Sequence, residues 1–157
     1  HFQYLAPGDK DPRPEILEQL QKLFGDKGSI IAYWAPFEKG CIKKSGLAYP
    51  EYKKWSEDVQ ERFVDLLEPF KSFAYYDPKQ GGSASLKSVL PALTKMNYEG
   101  LDISEGGSAS AEYYTVTFND KVSPGEREKV REALVKYCDI DTLGMVEVLK
   151  ALQKAID

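Results

Sequence analysis

Ser29-Ile30-Ile31-Ala32-Tyr33-Trp34-Ala35-Pro36-Phe37-Glu38 is the stretch on which the fold turns. Its first six residues are almost wholly apolar, which suits a short strand covered on both faces. Ala35 to Glu38 should then turn the chain into a helix. The expected class is α/β, helix-rich with a short central sheet. Upstream, Pro14 is placed to begin a helix with Ile16, Leu17, Leu20, Leu23 and Phe24 on one side, and Gly25 and Gly28 end it. Ahead of a turn-rich segment from Gly8 to Pro14, Phe2-Gln3-Tyr4-Leu5 alternates like a strand already under way. The chain opens on His1 without an initiator Met, which suggests a piece of a longer protein.

Downstream, Trp55, Val59, Phe63, Leu66 and Leu67 recur at spacings of three or four and predict one long helix over about Glu51 to Phe70, with Asp65 near its inner end. A turn from Phe73 to Gly82 leads to a helix carrying Leu86, Val89, Leu90 and Leu93, which Pro91 shortens or kinks. The pentapeptide Gly-Gly-Ser-Ala-Ser occurs at Gly81 to Ser85 and again at Gly106 to Ser110. Two copies do not make a repeat fold, and helix-start chemistry explains both, Gly for the turn and Ser for the N-cap. Ser123-Pro124-Gly125-Glu126 combines an N-cap, a first-turn proline and an acid three residues on, a capping-box start for the last helical region.

With 157 residues and ordinary apolar and charged fractions, the chain suits a single domain over residues 1–157. A net charge of −4 argues against strong sequence-independent binding to phosphate backbones, unless divalent cations invert the local field. Cys41 and Cys138 form neither a metal-spaced pair nor a disulfide framework, as expected in a reducing cytosol. No apolar run is long enough for a membrane span and no signal-like segment opens the chain, so the reading is cytoplasmic, with no membrane partner. His1 is the only histidine, which removes Ser-His-Asp triads, Cys-His pairs and histidine-rich zinc sites. Neither glycine-rich segment carries the pattern of a phosphate-cradling loop or a dinucleotide fold. Lys39, Lys43, Lys44, Lys53 and Lys54 either edge a phosphate-binding groove or form a solvated face.

What remains is a set of carboxylates. On a wheel of about 100° per residue, Val130, Leu134, Tyr137, Met145, Val148 and Leu152 form one stripe, and Asp141 falls in its middle. An ionised acid on a face bound for the core costs several kcal/mol unless it is paired, neutralised or metal-bound. Function is one explanation, and a bond to a backbone amide or a buried Arg is the other. Asp139 lies on the polar face with Glu128, Glu132 and Lys136 and is expected to be solvated. Glu38 after a central strand, Asp65 in mid-chain and Asp141 on the last helix, if gathered at the end of a parallel strand, would suit two divalent cations and phosphodiester hydrolysis.

The segments Ile30 to Glu38, Val64-Asp65-Leu66-Leu67-Glu68-Pro69-Phe70, Gly82 to Leu93 and Tyr137-Cys138-Asp139-Ile140-Asp141-Thr142-Leu143-Gly144-Met145-Val146 together resemble a bacterial family of uncharacterised domains. Its members usually sit C-terminal to a RecB-like or Cas4-like nuclease module. That family is similar in turn to the DEDD exonucleases, of DnaQ-like, ribonuclease H-like fold. The resemblance implies a metal-dependent 3′–5′ exonuclease of DNA repair or defence, acting on DNA or RNA with Mg²⁺ or Mn²⁺. It matches Tyr137 and Asp141 to a Tyr-x-x-x-Asp motif, Asp141 as a metal ligand and Tyr137 orienting the attacking water. Glu38 takes the place of a second metal-binding acid, and Trp34 stands where an asparagine contacting substrate is expected. Asp65 would support the site, and Ser85 and Lys87 would touch the substrate strand. No Asp-x-Glu strand exists in the sequence, and Asp9 and Asp11 lie in a Pro/Gly turn, so the fold would be N-terminally truncated and the chain catalytically incomplete. The rival readings are a non-catalytic module that binds nucleic acid or packs on the neighbouring nuclease, and a purely structural domain.

Overall fold

The computed structural model describes residues 1–8 and 10–156; Asp9, expected in the first turn, lies outside the described residues. Helices dominate, and the strands found among the described residues pair in one two-stranded parallel sheet, so the class is mixed α/β. The chain gathers into two compact units, residues 11–77 and residues 1–10 with 78–157.

In the first unit, α1 (Arg13–Phe24) buries Leu17 and stops at Gly25, whose φ of 53° suits glycine. β1 (Ile30–Ala32) follows with Ile30 and Ala32 buried and Ile31 half-buried, and α2 (Ala35–Ala48) starts where the sequence predicts a helix. The predicted long helix from Glu51 to Phe70 is not formed. α3 (Pro50–Asp58) gives way to a 3-10 turn at Val59–Arg62, then to β2 (Phe63–Asp65) and to the single turn α4 (Glu68–Lys71). The three-and-four spacing across this region is real, but its residues fall in α3, the 3-10 turn, β2 and the turn into α4.

Tertiary pairing decides the matter. β2 lies parallel to β1 with Ile30 opposite Phe63, Ile31 opposite Val64 and Ala32 opposite Asp65, and the Leu66 N–H donates to the Ala32 carbonyl at 2.8 Å. The Arg62 guanidinium, just before the strand, donates to the carbonyls of Phe24, Gly25, Lys27 and Gly28, satisfying backbone acceptors that the end of α1 leaves open. Ile30, Ile42 and Val59 form a core against which Leu20, Phe24, Trp55 and Phe63 pack.

The second unit is built on α7 (Pro124–Ile156), 33 residues long, against α5 (Leu86–Leu93) and α6 (Gly106–Phe118). Ser123 caps α7 as predicted, its Oγ accepting from the Glu126 N–H at 3.3 Å. α5 ends two residues after Pro91. Of the two Gly-Gly-Ser-Ala-Ser copies, the first leads into α5 with Ser85 as N-cap, whereas the second lies within α6 itself. There Ser108 and Ser110 donate to the carbonyls of Glu105 and Gly106, so they brace a first turn instead of capping it.

Phe2 to Leu5, predicted as a strand, forms no ladder. Its neighbours are helices, and the Leu5 and Ala6 carbonyls are taken by Arg131 at 2.9 and 3.0 Å, with Tyr113 also donating to Ala6. The core here joins Ile103, Ala133 and Leu134 with Leu5, Ala109, Tyr113, Val130 and Tyr137. Among the described residues no helix is long and apolar enough to cross a membrane.

Candidate functional site

The first unit holds Trp34, Glu38 and Asp65 around the turn from β1 into α2. Trp34 has φ 66° and ψ 56°, a left-handed backbone that costs a non-glycine residue about 1–2 kcal/mol. Asp65, at the end of β2, offsets that cost. Its Oδ1 accepts from the N–H of Trp34 at 2.8 Å and of Leu67 at 2.9 Å, and its Oδ2 from the N–H of Ala35 at 3.0 Å. Hydrogen bonds to a carboxylate contribute about 1.5–3 kcal/mol each, enough to hold the turn. One carboxylate thereby ties both strand ends to the start of a helix.

The turn presents the Trp34 indole to solvent, 57% exposed, stacked on Phe37 with centroids 5.8 Å apart and planes 16° from parallel. Glu38 lies in the first turn of α2, also exposed. Tyr33 points the other way, onto Phe70, and its hydroxyl is pushed well above the usual phenol range by burial first and by the Asp65 charge second.

The second unit holds Tyr137, Asp141, Lys87 and Ser85. Tyr137 and Asp141 are one turn apart on α7, both half-buried. Burial first, and then the charge of Asp141, push the Tyr137 hydroxyl up to about 12. A second phenol, Tyr98, donates to Asp141 Oδ1 at 2.5 Å, and its ring lies 6.2 Å from that of Tyr137. Lys87 on α5 places its Nζ 5.9 Å from the Tyr98 ring centroid, a cation–π contact. Ser85 is exposed at the start of α5 and its hydroxyl bonds to those of Ser83 and Ser88.

Asp141 thus sits between two phenols, with a lysine beyond one of them. Sequence reasoning missed Tyr98, because it lies in a non-periodic connection 43 residues from its partner and no spacing rule joins them. Asp139 is part-exposed on the polar face, where it accepts from Gln3 Nε2 at 2.6 and 2.7 Å and lies 3.0 Å from His1 Nε2. The Cys138 thiol is raised above its usual range by burial, then by Asp141 and Asp139.

The residues expected to act together therefore belong to two units: Tyr137, Asp141, Lys87 and Ser85 to one, Trp34, Glu38 and Asp65 to the other. Neither unit, among the described residues, holds three or more His, Cys, Asp or Glu side chains arranged to bind a metal ion. Asp65 has both oxygens engaged by backbone amides and Asp141 has one engaged by Tyr98.

No curated protein and no solved structure matches the chain. One family model does, that described as Domain of unknown function (DUF2779), over residues 1–85. That span takes in α1, both strands and the Asp65-braced turn, and the chain belongs to this family of uncharacterised domains.

Proposed function

We propose that the chain is part of a metal-dependent 3′–5′ exonuclease of ribonuclease H-like fold, acting on the end of a DNA or RNA strand and incomplete by itself. The observation that carries the reading is the Tyr137–Asp141 pair, one helical turn apart and half-buried, with Tyr98 donating to Asp141 and Lys87 over the Tyr98 ring. A phenol and a carboxylate so placed can hold and orient a water molecule, and a lysine over the neighbouring Tyr98 ring suits a phosphodiester. Asp141 is the proposed ligand for Mg²⁺ or Mn²⁺ in its unit, and Glu38 is proposed as a metal-binding acid of the other. The remaining acids, for which this sequence has no Asp-x-Glu strand, would come from outside it, and a RecB-like or Cas4-like nuclease module is the proposed companion.

A second reading, a non-catalytic module that binds nucleic acid or packs on such a nuclease, is favoured by one observation. The carboxylates Asp65 and Asp141 already have hydrogen-bond donors within the protein. The test is degradation of 5′-labelled single-stranded DNA and RNA in Mn²⁺ by a longer parent protein that carries an Asp-x-Glu strand, beside its Asp141→Asn variant. The exonuclease reading expects shortening from the 3′ end that Asp141→Asn abolishes. A folded parent that binds but cuts neither substrate would establish the module instead.

A further inference from the structure

Among the described residues, two non-glycine positions have a left-handed backbone, Trp34 and Phe73, and both are exposed aromatics paired with another exposed aromatic. Their sequence neighbours Tyr33 and Tyr75 instead pack half-buried against the buried Phe70. The Trp34–Phe37 pair is the better defined. Its rings are nearly parallel, its backbone is held by two Asp65 oxygens, and both side chains are more than half exposed. Backbone strain maintained to display an aromatic side chain is a mark of recognition, not of packing.

We infer that the Trp34–Phe37 pair is a stacking platform for an unpaired nucleobase at the end of a single strand. This deepens the nuclease reading and rests on it for the choice of nucleic acid. Every base offers a π-face to such a pair, whatever the sequence. Charge favours a nucleotide over an aromatic peptide: α2, which begins at the platform, carries Lys39, Lys43 and Lys44 against the single acid Glu38. The mean plane of the pair is set before a ligand arrives, so stacking orders little more than the base itself.

The chain as it stands tests this, in EDTA so that nothing is cut. Trp55 is replaced by Phe, which keeps its stack on Phe24 and leaves Trp34 as the only indole. Titration with a short oligo-dT should quench Trp34 fluorescence saturably and less at high salt, while a duplex of the same length quenches weakly. In a fluorescence-anisotropy assay with labelled oligo-dT, Trp34→Leu should weaken binding about tenfold and Trp34→Phe should restore most of it. Equal binding by Trp34→Leu, equal quenching by duplex, or absence of oligo-dT binding would overturn the platform. An inactive parent whose Trp34 still responds to oligo-dT would remove the exonuclease and leave the platform in place. Quenching by a Tyr-rich peptide in preference to oligo-dT would reassign the pair to protein docking.

Discussion

At the scale of single residues, the molecule spends its carboxylates on local order. Asp65 closes a turn that a neutral side chain could not hold as well, and Asp141 organises two phenols. Tyr137 reports on the second arrangement. Its hydroxyl moves from an ordinary value of about 10 to about 12 because burial and the Asp141 charge both disfavour the phenolate. The folded protein then keeps this proton more tightly than the unfolded chain does. The stabilisation is complete below pH about 10 and is lost as pH rises from there toward about 12. With ¹³Cζ-labelled tyrosine, the Tyr137 signal should titrate later than those of exposed tyrosines. In Asp141→Asn it should shift down yet stay above an ordinary phenol, because burial is the larger cause. A Tyr137 signal that titrates with the exposed ones would refute the arrangement. Tyr137 and Asp141 were legible as a pair from their four-residue spacing on a capped helix. Tyr98 was not, since contact across a loop leaves no periodic trace.

At the scale of elements, helix packing rests on small residues at close approaches. Gly46 of α2 faces Ser56 of α3, and a Cβ there would stand 2.0 Å from Ser56 Oγ and 2.4 Å from its Cβ. Ser56 is 1% exposed and its hydroxyl donates to the Lys53 carbonyl, so it has no room to retreat. Gly46→Ala gains about 1 kcal/mol of helix propensity but overpacks a contact worth more. A net loss of about 2 kcal/mol in urea unfolding is expected, and adding Ser56→Gly should recover part of it. No loss would show that α2 and α3 can separate freely at this point. The same scale explains the misread region from Glu51 to Phe70. Phe63 and Val64 fit the helical spacing and also favour strands. The competition is settled by β1, which offers Phe63–Asp65 a parallel partner 33 residues earlier in the chain.

At the scale of the whole molecule, two compact units form from three stretches of chain, because the first ten residues join the second unit. The tie is Arg131, whose guanidinium holds the Leu5 and Ala6 carbonyls across more than 120 residues of sequence. Arg131→Ala should free this segment: chymotryptic cleavage near Tyr4 is expected to speed up at least about tenfold, since both charge-assisted hydrogen bonds to it are lost. Unchanged cleavage would mean that Leu5 packing alone secures it. The sequence by itself determined α1 with its glycine stop, the strand at Ile30–Ala32, the turn into α2, the capped start of α7 and the Tyr137–Asp141 pairing. Each depends on residues within a few positions of one another, where propensity, capping and periodicity act. Tertiary structure alone decided that Phe63–Asp65 is a strand, that Phe2–Leu5 is not, and that Asp65, Tyr98 and Arg131 are the fastening points. Those outcomes depend on which distant backbone groups lack a partner, and that is known only once the chain has folded.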